Sequence, residues 1–143
     1  MQIHCFESHL VGVPCRCLGV NVSWVCDKAR GKMKHFDIQE FACKCCGENK
    51  MDEDFLKQLD AARELAGVPF FINSGYRCPL HNKAVGSTSA NHTSGKAADI
   101  ACENSFVRTK ILTALILAGF RRIGIAKSFI HVDSMDGEAL WLY

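Results

Sequence analysis

The sequence lacks both a long hydrophobic run and an excess of charge of one sign. Its longest apolar stretch, at residues 111–120, is about half the length of a membrane span and follows two basic residues, so it favours a buried helix. The 17 Lys and Arg residues nearly balance the 15 Asp and Glu residues, which leaves a net charge of +2. We therefore expect no nucleic-acid partner and neither insertion into a membrane nor attachment to its surface.

The features of a secretory signal peptide are also absent from the N-terminal sequence. His4 and Glu7 lie where a signal peptide has its basic segment, and the apolar runs are far shorter than a signal-peptide core. This predicts synthesis in the cytoplasm, a reducing compartment in which disulfides are uncommon.

Cysteine, in contrast, is abundant, with 9 in 143 residues. An odd number cannot pair completely within one chain. The cysteines divide into a group within the first 26 residues and a later group: Cys5, Cys15, Cys17 and Cys26, then Cys43, Cys45, Cys46, Cys78 and Cys102. Composition alone leaves open a disulfide protein, a cysteine-ligated zinc protein or neither.

Residues 1–32 differ in pattern from the rest of the chain. They show no sustained period of 2 or 3.6 residues, and Gly, Pro and Cys interrupt each short apolar run, although residues 20–25 could form one strand. From Met33 onward nearly every segment has a clear pattern. We expect one folded domain at residues 33–143, preceded by an extension at residues 1–32 that is unstructured or not native. A small cysteine-bearing extension is the alternative.

The patterns after Met33 indicate both helices and strands. Two helices are predicted. Asp52 or Asp54 caps the first, which runs to about Ala66 and is followed by Gly67, and Asn104 or Ser105 caps the second, which runs to Leu117 and is closed by Gly119. Strands are predicted at residues 68–72, 97–102, 122–126, 129–133 and 140–143, and the polar stretch at 73–96 is predicted as a long loop. The strands at 122–126 and 129–133 are candidates for a hairpin, and the segment at 140–143 is a candidate edge strand. This order predicts an α+β fold, a small, mainly antiparallel sheet with helices packed on one face.

Several polar side chains stand out among these elements. His92 lies in the loop and is followed seven residues later by Asp99 on a strand, and Gly95 between them lets the backbone fold back. On the strand at 129–133, alternation turns His131 and Asp133 to one face. Two imidazoles and one carboxylate would leave a zinc ion one open position for water, as a catalytic site requires. The residues alone leave open such a metal site and ordinary packed or surface histidines.

Longer motifs connect these residues. The motifs are Ser74-Gly-Tyr-Arg-Cys-Pro-Leu-His-Asn82, His92-x-x-Gly-x-Ala-x-Asp99 and His131-Val-Asp133. Together they resemble the zinc D-Ala-D-Ala carboxypeptidase family, which includes phage and bacterial peptidoglycan peptidases and shares its fold with the Hedgehog signalling domain. The similarity covers roughly residues 34–143.

The resemblance implies a zinc metallopeptidase that hydrolyses amide bonds next to D-amino acids in peptidoglycan peptides, as a carboxypeptidase or as an endopeptidase. It assigns Zn2+ to His92, Asp99 and His131. It assigns Arg77 to a carboxylate or carbonyl of the substrate, which a guanidinium can hold through two hydrogen bonds. We expect a monomer that acts on the cell wall after release from the cell or as a phage component, such as an endolysin.

Two positions depart from the family pattern. Many relatives place an acidic general base three residues before the second histidine ligand, where this chain has Ser128. Asp133 is the nearest replacement, as the base or as the group that orients the zinc water. The competing interpretation is a carboxylate that accepts a hydrogen bond from a ligand histidine. Ala90 stands where many relatives have serine, and Ser89 or Asn91 can supply that polar group.

The run Cys43-Lys-Cys-Cys46 has an ambiguous pattern. With Cys78 it offers four thiolates for a structural zinc, but it lacks the paired C-x-x-C spacing of zinc ribbons, so unligated buried thiols are favoured. Cys102 is predicted in the core, and His81 is interpreted as a surface or packed residue.

Two alternatives to the enzyme stay open: a non-catalytic zinc-binding module of the same fold, and a thiol-rich redox or metal-storage protein.

Overall fold

The computed structural model describes residues 33–143. The extension predicted at residues 1–32 and the strand predicted at 20–25 lie outside the described residues. The elements in chain order are a 3-10 turn (Ile38–Phe41), α1 (Glu53–Ala66), β1 (Ile72–Ser74), α2 (Pro79–Ala84), β2 (Ala97–Ala101), α3 (Ser105–Leu117), β3 (Arg122–Ile125), β4 (Phe129–Asp133) and β5 (Ala139–Leu142). None of these helices is long and apolar enough to cross a membrane.

Within residues 33–143, five strands form one sheet in the order β1-β2-β4-β3-β5. Neighbouring strands are antiparallel except β3 and β5, which run parallel. β3 and β4 form the predicted hairpin, and β5 lies at the edge of the sheet, as its pattern predicts. The α+β fold with a mainly antiparallel sheet is confirmed.

The two faces of the sheet differ in chemistry because side chains alternate along each strand. One face carries aliphatic residues such as Ile100, Ile130 and Val132, which are fully buried in the same core as α1 and α3. The residues between them in sequence, including Asp99 and His131, turn to the opposite face. The apolar face of the sheet therefore packs in the core with α1 and α3, and the polar face points away from that core.

Helix α1 is capped by Asp52, one of the two predicted caps, and it ends where the sequence predicts. The Asp52 carboxylate accepts a hydrogen bond from the Phe55 amide at 2.9 Å, and Gly67 ends the helix in the left-handed conformation with φ of 61°. Leu59 and Phe55 lie on its buried face, and the Phe55 ring centroid is 5.6 Å from that of Phe120. Local capping and tertiary packing thus agree on the position of this helix.

Two predictions between residues 68 and 96 are wrong. β1 spans Ile72–Ser74 rather than residues 68–72, because pairing with β2 begins at Ile72 while Phe70 packs into the core. The polar stretch predicted as a loop contains α2, in which Pro79 takes the first position after Cys78. Cysteine is not among the favoured helix caps, so the sequence concealed this helix. The bounds of the other predicted helices and strands agree with the structure within one residue.

Candidate metal centre

Pairing of β2 with β4 brings two of the predicted ligands together. Asp99 lies opposite His131 in the antiparallel ladder, and both residues are buried. The His131 Nδ1 atom is 2.8 Å from Asp99 Oδ1. Because side chains at directly opposed positions project from the same face, the register of the sheet fixes this contact.

His92 reaches the same point from the loop before β2. Gly95 turns this loop with φ of 73°, and a Cβ atom there would lie 1.9 Å from the Lys50 carbonyl oxygen. His92 Nδ1–H donates a hydrogen bond to the Gly75 carbonyl oxygen at 2.7 Å. This bond holds the ring with Nε2 at 3.4 Å from Asp99 Oδ2.

The three side chains have the donor atoms and the spacing of a catalytic zinc site. One donor atom from each of His92, Asp99 and His131 lies within 4.8 Å of the others. His131 Nε2–H donates to Asp133 Oδ2 at 3.0 Å, and Nδ1 lies beside the Asp99 carboxylate, where a proton or a metal ion must separate the Nδ1 lone pair from the carboxylate oxygen. Two buried acceptors this close need a cation between them. Two imidazole nitrogens and a carboxylate oxygen therefore fit Zn2+, with a fourth position for water or substrate.

The cluster favours the charged forms of Asp99 and His131. Burial opposes ionisation of Asp99, but hydrogen bonds from His131 and His92 outweigh it and hold the pKa of Asp99 well below its usual range. Burial likewise opposes protonation of His131, whereas its hydrogen bonds to Asp133 and Asp99 raise its pKa above the ordinary value. Either a proton or a metal ion on His131 Nδ1 can thus pair with the buried negative charge of Asp99.

Asp133 is buried and anchors His131. Its Oδ1 atom accepts hydrogen bonds from Arg122 Nε at 2.6 Å and from the Met135 amide at 3.1 Å. Its Oδ2 atom accepts from Asn91 Nδ2 at 2.9 Å in addition to His131. Burial would raise its pKa, but the hydrogen bonds from His131 and Arg122 hold the pKa below its usual range. The carboxylate is therefore ionised, and both of its oxygens are engaged.

Arg77 contacts the cluster directly. Its Nη2 atom donates to Asp99 Oδ2 at 2.8 Å, and its Nε atom donates to Ser74 Oγ at 2.8 Å. A guanidinium has five N–H donors, so this arrangement leaves donors for a ligand. Arg77 therefore neutralises a candidate metal ligand and also lines the cleft beside it.

An open cleft of about 400 Å³ leads to the cluster. Besides Arg77 and the three candidate ligands, its lining residues are Ser87, Ser89, Asn91, Phe129, Trp141 and Tyr143. The Trp141 ring lies 5.5 Å from the His131 ring. A Cβ atom at Gly124 would lie 2.5 Å from the Trp141 indole, so this glycine makes room for the aromatic wall. The cleft thus combines polar and aromatic surfaces beside the candidate metal centre.

The positions that depart from the family pattern have different surroundings. Ser128 is exposed, and it does not line the cleft. Asn91 hydrogen-bonds Asp133, whereas Ser89 Oγ accepts a hydrogen bond from the Asn91 amide at 3.2 Å. Asn91 is thus the polar neighbour of Ala90 that reaches the Asp133 carboxylate.

Sequence reasoning missed Arg122 and Trp141 as residues of the site. Arg122 lies opposite Asp133 in the hairpin, and its guanidinium carbon is 5.7 Å from the centroid of the Trp141 ring. Counting residues outward from the predicted turn would have found the pairing of Arg122 with Asp133. No local pattern indicated Trp141, because β5 enters the site through a parallel pairing with β3.

A small α+β domain with two histidines and an aspartate at the base of an open cleft has the form of a metalloenzyme with a catalytic zinc site. The chain belongs to the peptidase M15 family, whose family model matches residues 34–133. No curated protein matches the chain significantly. The family confirms the resemblance predicted from the motifs and supports a metallopeptidase, a hydrolase whose metal is usually zinc.

Proposed function

We propose that this protein is a zinc-dependent peptidase that hydrolyses amide bonds in peptidoglycan peptides and acts as a monomer. The observation that carries the proposal is the cluster of His92, Asp99 and His131 at the base of the cleft, in a chain of the peptidase M15 family. Removal of a terminal D-Ala and cleavage of a stem peptide or cross-link both fall within the proposal. Such an activity would serve bacterial wall remodelling or phage lysis.

The proposed chemistry depends on how the chain presents the three ligands. When bound, zinc would supply a Lewis acid that lowers the pKa of a water molecule and polarises the scissile carbonyl. His92 and His131 each have one ring nitrogen held by a hydrogen bond, to the Gly75 carbonyl and to Asp133, so the other nitrogen is directed at Asp99. This preorganisation orients the ligands before substrate arrives.

Arg77 is proposed to hold the substrate. Its position beside Asp99 and along the cleft supports contact with a carboxylate or carbonyl next to the scissile bond. A guanidinium can form two parallel hydrogen bonds to a carboxylate, which fixes orientation as well as position. Arg77→Lys should therefore weaken substrate binding, because an ammonium cannot reproduce that geometry.

For Asp133 we propose a positioning role rather than that of general base. Both of its oxygens accept hydrogen bonds from neighbouring groups, and its side chain is fully buried. It holds the proton on His131 Nε2 and thereby leaves Nδ1 free to bind a metal ion.

Incubation of the purified, zinc-loaded protein with defined muropeptides tests the activity. Mass spectrometry of the products identifies the bond that is cut, because loss of a terminal residue and internal cleavage give different masses. His92→Ala should abolish product formation and lower bound zinc by one ion per chain, because two remaining ligands hold zinc poorly.

A matched control for this test is His35→Ala. His35 pairs with Glu64 and is not part of the candidate metal cluster, so its loss should leave zinc content and turnover unchanged. Full turnover by a zinc-deficient His92→Ala variant would contradict the proposed metal centre.

A non-catalytic binding module of the same fold is the second candidate. Among the described residues that line the cleft, Asp99 is the only carboxylate, so the lining offers no second acid to take a proton from water. Such a module would bind muropeptides without releasing a product. Calorimetric titration of the zinc-loaded protein, run beside the product assay, separates the two functions: binding with no new mass favours the module, and a product favours the enzyme.

A further inference from the structure

A second cluster of metal-ligating side chains lies outside the candidate catalytic centre. The Sγ atoms of Cys43, Cys45, Cys46 and Cys78 all lie within 4.8 Å of one another. Cys43 and Cys78 are buried, whereas Cys45 and Cys46 are exposed. The proposed peptidase chemistry uses none of these four residues.

The fold brings this cluster together from two distant segments. The Tyr76 amide donates to the Phe41 carbonyl oxygen at 2.8 Å, which aligns the chain before Cys78 with the chain before Cys43. The Gly47 amide donates to the Cys43 carbonyl oxygen at 2.8 Å and closes a tight turn that carries the other two cysteines. The sulfurs therefore converge because the backbone around them is hydrogen-bonded.

The distances between the sulfur atoms fit a metal site and not a disulfide. Cys45 Sγ is 3.6 Å from Cys43 Sγ and 3.3 Å from Cys78 Sγ, and all three cysteines are unbridged. A disulfide would require about 2.05 Å. Four sulfurs at about 2.3 Å from a central zinc ion would be about 3.8 Å apart, as the edges of a regular tetrahedron.

Hydrogen-bond donors already point at the sulfurs. The Cys78 amide donates to Cys43 Sγ at 3.3 Å, and the His81 amide donates to Cys78 Sγ at 3.4 Å. His81 Nδ1 lies 3.3 Å from Cys43 Sγ, so this histidine belongs to the surroundings of the cluster. Donors around sulfur stabilise the thiolate form that binds metals and orient it.

We propose that Cys43, Cys45, Cys46 and Cys78 bind a second zinc ion in a closed, structural four-thiolate site. Four S–Zn bonds form, and the four thiol protons pass to solvent, with no change of oxidation state. The inference does not depend on the proposed peptidase function. It reverses the preference for unligated thiols that the C-x-C-C spacing favours, because the structure brings the Sγ atoms of all four cysteines within 4.8 Å of one another.

Such a site would also support the substrate-binding residue. Cys78 directly follows Arg77, and the Arg77 amide donates to the His92 carbonyl oxygen at 3.2 Å. A zinc ion at Cys78 would therefore hold in place the segment that carries Arg77.

Alkylation of the full-length protein with N-ethylmaleimide tests the site directly. Cys45 and Cys46 are exposed and accessible to the reagent as free thiols, but zinc thiolates resist alkylation. We expect peptide mapping to show these residues protected in the zinc-loaded protein and modified after addition of a chelator. Equal modification with and without the chelator would overturn the proposal, as would a Cys45–Cys78 disulfide in the non-reduced map.

Zinc content of matched variants gives the second measurement. Cys45→Ala and Cys46→Ala should each lower bound zinc by one ion per chain relative to the parent protein. Cys102→Ala is the control, because Cys102 is an unbridged cysteine outside the cluster and should leave the zinc content unchanged. The zinc content of each variant is compared with that of the parent protein, because any zinc bound by Cys5, Cys15, Cys17 and Cys26 is the same in all of these proteins. Unchanged zinc in both cluster variants would overturn the proposal.

Discussion

At the scale of single residues, two aspartates on neighbouring strands have different surroundings. Asp99 lines the cleft and lies beside both histidines, so it can act as a metal ligand. Asp133 receives hydrogen bonds from Arg122 and His131 and does not line the cleft. The Asp99 carboxylate is thus suited to bind a metal, and the Asp133 carboxylate is suited to orient a metal ligand.

The positioning role of Asp133 gives a testable prediction. Asp133→Asn should weaken zinc affinity about 10- to 100-fold, because it removes the charged acceptor that orients His131. Activity should fall with the loss of zinc and recover when excess zinc is added. Zinc titration followed by the muropeptide assay measures both effects.

Asp136→Asn is the matched control for this variant. Asp136 is exposed three residues further on, so its substitution should change neither zinc affinity nor turnover. If turnover by Asp133→Asn stays low at saturating zinc while the control is fully active, Asp133 acts as the base instead.

The raised pKa of His131 predicts how metal binding depends on pH. Zinc must displace the proton from His131, whose pKa lies above the ordinary value of about 6.5 in the apoprotein. Affinity should therefore fall as the pH decreases, beginning above pH ~6.5, with up to tenfold loss per pH unit from this group. Zinc titrations across this range provide the measurement, and pH-independent affinity would contradict the assignment of His131 as a ligand.

At the scale of elements, the loop before β2 controls where His92 lies. Gly95 combines a left-handed backbone with a close approach to the Lys50 carbonyl, and its own carbonyl accepts a hydrogen bond from the Asp52 amide at 2.9 Å. The loop is thereby joined to the N-terminus of α1. Lys50 and Asp52, which are distant from His92 in sequence, therefore constrain the loop that carries this candidate ligand.

Substitution of Gly95 tests this constraint. Gly95→Ala should lower the free energy of unfolding by about 2–4 kcal/mol, because strain in the left-handed region adds to overpacking against Lys50. Gly137→Ala is the control, since Gly137 has φ of 89° with open space around it and should cost only about 1 kcal/mol. Urea denaturation of both variants measures the difference, and equal destabilisation would show that the close contact has no effect.

At the scale of the whole molecule, the described residues contain a hydrophobic core. Phe41, Phe55 and Phe70 are fully buried together with residues from the strands and α3. The candidate ligands come from β2, β4 and the loop before β2, all within residues 33–143. The predicted domain therefore carries both its core and its candidate site.

Deletion of residues 1–32 tests this domain prediction. The shortened chain should keep its melting temperature within about 3 °C, because its core lies within the retained residues. Circular dichroism and the muropeptide assay on both chains give the measurement. Loss of cooperative unfolding in the shortened chain would contradict the domain boundary.

The elements that sequence reasoning predicted well are those with local signals. α1 and α3 have caps and glycine stops, and the β3–β4 hairpin has two apolar strands separated by a short turn. α2 was missed because Cys78 caps it, and β1 was displaced because its bounds depend on pairing with β2. The failures thus occur where a partner element supplies the deciding interaction.

The sequence by itself singled out His92, Asp99 and His131 as candidate ligands, and the resemblance of its motifs to the zinc D-Ala-D-Ala carboxypeptidase family implied that these residues bind zinc. Strand alternation also determined that Asp99 and His131 turn away from the core. Only the tertiary structure decided that Asp133 is buried behind His131 and that Cys78 meets the cysteines of the 43–46 turn. These contacts depend on strand register and chain reversal, which join residues far apart in sequence and leave no local pattern.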